Sequence, residues 1–299
     1  MGIESLPPLD PITRLSPRVI RILGGNPSKF TLQGTNTHLV GTGSERILID
    51  TAEGLSVWRE RLERVLKDEE GKKEGKVKIT KVLLTHWHHD HVGGVDDVRD
   101  LLGEDGVEVW KDEKKKKTKI HKIKPNQTFS VPGAHLTAIF TPGHTSDHMS
   151  FFLREEDALF AGDNVLGHGT AVFEDLKEYM ESLERMQKVA GGRVYPSHGE
   201  VVEDGLGKIG EYIAHRRQRE MEALEVLGRK EGGPGGDGWW GSMEMVKVVY
   251  AAYPEEYWGP AEGSLKQVLK KLERDGKVRQ GKGRDGEDGK WALIEKSAL

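Results

Sequence analysis

The stretch Thr85-His86-Trp87-His88-His89-Asp90-His91-Val92-Gly93-Gly94, which follows directly on Lys81-Val82-Leu83-Leu84, constrains this chain more than any other feature. Four imidazoles and a carboxylate fall within its six residues from 86 to 91. Nitrogen donors of intermediate softness together with a hard oxygen donor are what a zinc ion takes. The apolar run reads as a buried strand that delivers them into a loop. A solvated loop gives no reason for the order His-x-His-x-Asp-His.

Composition narrows what else can take part. There is no cysteine, so thiolate ligands, disulfides and a cysteine nucleophile are excluded, and any metal rests on His, Asp and Glu. The net charge of −4 gives no general basic field, so nucleic acid would have to be held locally or by metals. No apolar run approaches the roughly 20 residues needed to cross a bilayer. Met1 to Pro8 carries neither an apolar segment nor an Arg-rich, acid-poor character. The expected address is the cytoplasm, with the mitochondrion left open, and no membrane partner is expected. At 299 residues the chain is long enough for one large domain and a small one.

The pattern of strand, turn and ligand then repeats. Arg18–Leu23, Gly34–Val40 and Arg46–Asp50 read as strands, and Leu55 to Glu69 as an amphipathic helix with Trp58, Leu62, Val65 and Leu66 on one face. Val77–Leu84 is the strand before the histidine cluster, and Gly93–Leu102 is expected to be a helix starting just beyond it. Val107–Trp110 is a short strand. Lys111 to Lys124 is strongly basic, a solvated face that also suits an anionic backbone. Leu136–Phe140 leads to His144 at a Pro-Gly turn, Ala158–Ala161 to Asp163, and Arg193–Tyr195 to His198. Each alone is weak. Together, His86, His88, Asp90, His91, His144, Asp163 and His198 form seven donors at strand ends, which one rim of a sheet sandwich gathers.

These motifs resemble the metallo-β-lactamase superfamily. The match extends to the branch that holds the lactamase-beta-like protein 2 endoribonucleases and the fungal acyl-carrier-protein thioesterases. Phe173-Glu174-Asp175-Leu176-Lys177-Glu178-Tyr179-Met180 lies closer to the endoribonucleases. Gly162-Asp163-Asn164-Val165-Leu166-Gly167-His168-Gly169-Thr170 and Pro27-Ser28-Lys29-Phe30 lie closer to the thioesterases. The resemblance implies an α+β fold, an αββα sandwich, with two zinc ions per chain. His86, His88 and His144 would hold one ion and Asp90, His91 and His198 the other, with Asp163 as the bridge. It also implies that Asp90 accepts the proton in catalysis and that Asp50, ending its strand, supports the metal loop from behind. The chemistry implied is hydrolysis, of single-stranded RNA first, with release of a polyketide from an acyl carrier protein as the alternative.

His148 and His168 stand beside ligands in sequence and are candidates for orienting substrate, protonating a leaving group or plain packing. His89 is expected to point outward. His38, His121, His135 and His215 have no metal-like spacing. The expected division is a hydrolase domain over 1–227, a Gly-rich linker over 228–241 and a winged-helix-like domain over 242–299. In the last, Ser242 is read as the cap of a helix through Tyr253, Gly263–Asp275 as a second helix and Lys277–Ile294 as a hairpin. The acidic residues Glu255, Glu256 and Glu262 favour a packing or homodimer module there over direct nucleic-acid contact.

Overall fold

The structure is a computed structural model that describes residues 6–71, 76–103, 106–112, 120–189, 191–229, 236–282 and 288–294. Its elements follow in chain order. Strands β1 (Ile12–Arg14), β2 (Val19–Leu23), β3 (Asn36–Val40) and β4 (Glu45–Ile49) lead to helix α1 (Ser56–Glu70) and strand β5 (Lys78–Leu83). Helices α2 (His89–Val92) and α3 (Val95–Leu102) precede β6 (Glu108–Lys111), β7 (Ile120–Lys122), β8 (Thr128–Val131), β9 (Ala134–Phe140), β10 (Met149–Leu153) and β11 (Ala158–Gly162). Then come α4 (Leu176–Val189), β12 (Val194–Pro196), α5 (Gly205–Leu227), α6 (Ser242–Val249), α7 (Trp258–Arg274), β13 (Val278–Lys282) and β14 (Asp288–Leu293).

Strands β1 to β7 form one sheet in sequence order, and a second runs β12-β11-β10-β9-β8. Strands with apolar residues on both faces need cover on both sides, and the first sheet has it. Val19, Val40, Ile47 and Ile49 point into the core shared with Phe129, Phe151, Phe160 and Tyr195 of the second sheet. Their neighbours Ile20, Leu39 and Leu48 point the other way, onto Trp58, Leu62 and Val65 of α1 and Val98 of α3. On the second sheet, α4 is tied down by Ser182, whose hydroxyl donates to the Pro142 carbonyl at 2.6 Å. The layering is the helix–sheet–sheet–helix sandwich anticipated from the sequence.

Two expectations are corrected. The helix expected over 93–102 is α3, which begins beyond the ligands at Val95. Asp90 and His91 do not lie in the loop expected there, because they form the single turn α2, separated from α3 by a break. The break sits where the backbone is pressed against its neighbours. A Cβ on Gly94 would lie 2.3 Å from the Thr51 carbonyl and 2.5 Å from the Trp58 ring. Nor does Ser242 cap α6. The N-cap is Gly241, whose N–H donates to Glu244 at 2.7 Å, while the Ser242 hydroxyl donates to Glu262 at 2.5 Å.

The chain divides into two compact units, Met1–Phe173 with Glu181–Gly210, and Glu174–Met180 with Glu211–Leu299. In the second, Met245 and Val246 of α6, Leu265, Leu269 and Leu272 of α7 and Val278 and Trp291 of the β13–β14 hairpin are buried. Trp240 extends the hairpin by exchanging backbone hydrogen bonds with Trp291, at 2.9 and 2.8 Å. This is the helix, helix and two-stranded wing read from the sequence. Residues 230–235 of the Gly-rich linker and 113–119 of the basic run lie outside the described residues.

Candidate metal centre

Four strands of the sandwich end on one rim, and each hands over polar side chains. After β5 come His86, His88 and then Asp90 and His91 on α2. After β9 comes His144, after β11 Asp163, and after β12 His198. His86 Nε2 lies 2.9 Å from His88 Nδ1, which lies 3.1 Å from His144 Nε2. Asp163 Oδ2 is 3.5 Å from His144 Nε2 and 4.0 Å from His86 Nε2. A second group adjoins it: His91 Nε2 and His198 Nε2 stand 3.2 and 3.4 Å from Asp90 Oδ2, and 3.4 and 3.3 Å from Asp163 Oδ1. Asp163 thus turns one oxygen to each group.

This donor set fits metal ions. Donors held about 2.0–2.1 Å from a tetrahedral ion stand about 3.4 Å from each other, close to the separations seen. His91 Nε2 and Asp163 Oδ1 are buried and make no hydrogen bond. Buried polar atoms without such a partner are costly unless another ligand satisfies them.

The electrostatics point the same way. Burial pushes the His91 imidazole down, but Asp163 and Asp50 outweigh it and hold the ring well above its ordinary value. The carboxylates of Asp163, Asp50 and Asp90 therefore favour positive charge at this place. Burial pushes the Asp90 carboxyl up, yet the adjacent His91 imidazole brings it down to about 2. Asp163 is raised by burial and lowered more by His198 and His91, ending well below the carboxylate range. His86 and His88 are lowered, chiefly by burial, and offer free nitrogen lone pairs.

Behind the donors, a second layer fixes each ring. Asp50 Oδ2 lies 2.8 Å from His91 Nδ1, and Asp50 Oδ1 accepts the Thr85 N–H at 2.8 Å. The Thr85 hydroxyl reaches both Asp50 and, at 2.9 Å, His86 Nδ1. Asp50 sits at φ 58°, a left-handed conformation that aspartate tolerates better than most residues. His144 Nδ1 donates to the Val172 carbonyl at 2.9 Å.

His148 is fully buried, with Nδ1 2.9 Å from the Thr141 hydroxyl and Nε2 accepting the Asp163 N–H at 3.2 Å. It therefore positions the Asp163 backbone and does not reach the open side of the centre. His89 is exposed, as expected, and His38 is buried against Phe160 and Tyr195. His168 is exposed and lines a cavity of about 400 Å³ whose walls also include His88, Asp90, His144, Asp163 and His198.

Sequence reasoning missed Thr35, Asn36 and Asn26. The Thr35 hydroxyl donates to Asp90 Oδ2 at 3.0 Å and itself accepts from the Asn26 amide at 3.1 Å. The Asn36 amide donates to the carbonyls of Pro196 and Gly199, both at 2.9 Å, holding the turn that carries His198. The polar run Thr35-Asn36-Thr37 at the start of β3 is the one local feature that marks the first two, and it is too common to point to a site. Among the described residues, three basic groups are used internally. Lys111 is buried, with its ammonium 2.8 Å from Asp147. Arg216 is only 8 % exposed and lies over the Tyr179 ring, and Arg219 pairs with Glu222 at 2.7 Å.

Residues 30–198 match the family model described as the Metallo-beta-lactamase superfamily, and residues 241–291 match the Beta-lactamase associated winged helix domain. Among similar proteins, Beta-lactamase-like protein 2 homolog of Drosophila melanogaster is 44 % identical, covering 92 % of this chain and 94 % of its own. Atrochrysone carboxyl ACP thioesterase dmxR1 of a Cryptosporiopsis species is 41 % identical, covering 92 % and 85 %. The crystal structure of a beta-lactamase domain protein from Burkholderia ambifaria superposes with a TM-score of 0.72 at 17 % identity, over 97 % of this chain and 96 % of that one.

Proposed function

Because the chain belongs to the metallo-beta-lactamase superfamily, we propose that it is a two-zinc hydrolase that cleaves acyl thioesters. The observation that carries this reading is the cavity over the donor groups, whose other walls include the apolar Phe30, Leu32, Leu166, Ala171 and Val172 beside Lys29, Thr31, His168, Gly169 and Thr170. Such walls suit an acyl chain whose carbonyl end meets the centre. The thioesterase named among the relatives supports the same substrate class.

In this reading His86, His88, His144 and Asp163 would hold one ion, and Asp90, His91 and His198 the second, beside Asp163. When bound, the ions supply hydroxide at neutral pH and polarise the scissile carbonyl. Asp90, ionised and oriented by the Thr35 hydroxyl, takes up the proton released as the nucleophile adds. Asp50 keeps the His91 proton on Nδ1 and so leaves Nε2 as the donor atom. His148 fixes the peptide that carries Asp163.

A second reading, cleavage of single-stranded RNA, is favoured by the rim. Phe30 and Trp87 are 69 % and 49 % exposed, and the Lys29 ammonium lies 4.8 Å from the Phe30 ring centre. Aromatic faces beside a cation suit stacked bases and a phosphate. The two separate on a direct assay of zinc-loaded protein with an acyl thioester and with labelled RNA over a salt series. Thioester turnover with little salt dependence supports the first reading. RNA cleavage that falls steeply with salt, without thioester turnover, replaces it with the second.

A further inference from the structure

Hydrolysis of an oxygen ester by this centre would have two proton requirements, and the groups placed so far meet only one. Asp90 is ionised and accepts a proton. The leaving atom needs one donated whenever it departs as a poor anion such as an alkoxide. His86, His88, His91, His144 and His198 all turn a nitrogen inward to the donor groups. His148 has both nitrogens engaged behind Asp163. His89 is exposed on α2 and does not line the cavity.

One imidazole on the cavity wall remains. His168 is exposed, lines the cavity together with five of the donors, and has no hydrogen bond or ion pair among the described residues. Its backbone is nevertheless fixed. The Gly167 N–H donates to the His198 carbonyl at 2.8 Å, and a Cβ on Gly167 would lie 2.2 Å from the Glu200 carbonyl oxygen. The loop is therefore pressed onto the turn that carries a donor, and an unengaged ring is held at the open side of the centre.

We propose that His168 is a further catalytic residue, the general acid that protonates the leaving group. This rests on the hydrolase reading above. Hydroxide adds to the carbonyl carbon. The bond from that carbon to the leaving oxygen or sulfur then breaks, its electron pair stays on the leaving atom, and that atom takes the proton from a ring nitrogen of His168. Exposure lets solvent return the proton to the ring. An imidazole suits this task because it exchanges protons near neutral pH. The demand scales with the leaving group: large for an alkoxide or phenoxide, small for a thiolate or nitrophenolate that is stable as an anion.

The test uses His168→Gln in the full zinc-loaded chain with a phenyl ester and the p-nitrophenyl ester of the same acid. The variant is expected to lose about 100-fold on the phenyl ester and less than about threefold on the p-nitrophenyl ester, with the zinc content of the wild type. Equal rates for variant and wild type on both esters overturn the proposal, as does an equal loss on both. A fall in zinc content overturns it too, because His168 then acts as a ligand. If wild-type protein with both sites filled cleaves neither ester, thioester nor RNA, the hydrolase reading itself has failed, which is a separate result.

Discussion

Asp50 stands behind the candidate centre and does not line its cavity. Its carboxylate takes the Thr85 N–H and lies 2.8 Å from His91 Nδ1, so it sets both the entry of the ligand loop and the tautomer of a ligand ring. Asp50→Asn keeps the size and suits the left-handed backbone, yet it removes the charge that fixes that proton. Zinc affinity measured against a chromogenic chelator is expected to fall about 10- to 100-fold, with the far-UV spectrum unchanged. Unaltered affinity would mean that Asp50 is a turn residue only. The seven donors could be read from the sequence because their types and order are restrictive. Thr35, Asn36 and Asn26 could not, because threonine and asparagine occur in every turn and only the fold shows that they reach Asp90 and the His198 turn.

At the scale of elements, strands that feed the rim were legible wherever an apolar run ended at a chemical group. That holds for β4, β5, β9, β11 and β12. The short edge strand β1 and the strands β8 and β10 were not singled out, since β8 alternates in half-polar fashion and β10 lies between ligand-bearing turns. The break between α2 and α3 depends on how closely Gly94 meets Thr51 and Trp58, a tertiary contact that no local pattern encodes. The α5 helix begins at Gly205, where Asp204 accepts the Gly207 N–H at 2.8 Å.

Strand β3 makes a pH prediction. His38 is buried there, and burial with Arg21 nearby lowers it from 6.5 to about 3. The unfolded chain therefore binds a proton that the folded chain refuses. Stability is complete above about pH 6.5 and falls as pH drops toward about 3, with a slope approaching about 1.4 kcal/mol per pH unit from this group. Comparing urea midpoints at pH 7 and pH 5, wild type is expected to lose more than His38→Phe. Equal losses would remove His38 from the account.

For the whole molecule, the composition excluded thiol chemistry and a general basic field, and it left the placement of charges to the fold. The fold uses Lys111 and Arg216 as buried groups rather than surface contacts. Arg216→Glu is accordingly expected to destabilise the unit that contains it by about 3 kcal/mol or more, through an anion forced into a site shaped for a cation. A thermal melt checks this. An unchanged melt with selective loss of RNA cleavage would instead make Arg216 a backbone contact.

The claim that ties residue, element and molecule together is that the strands gather seven donors into two adjoining metal sites that share Asp163. Zinc stoichiometry by elemental analysis of the purified, zinc-supplemented chain tests it most directly. The account predicts about two ions per chain in the wild type and about one or fewer in Asp163→Ala, whose far-UV spectrum stays that of the wild type. Less than about one ion per chain in the wild type, or the same content in both proteins, would contradict it.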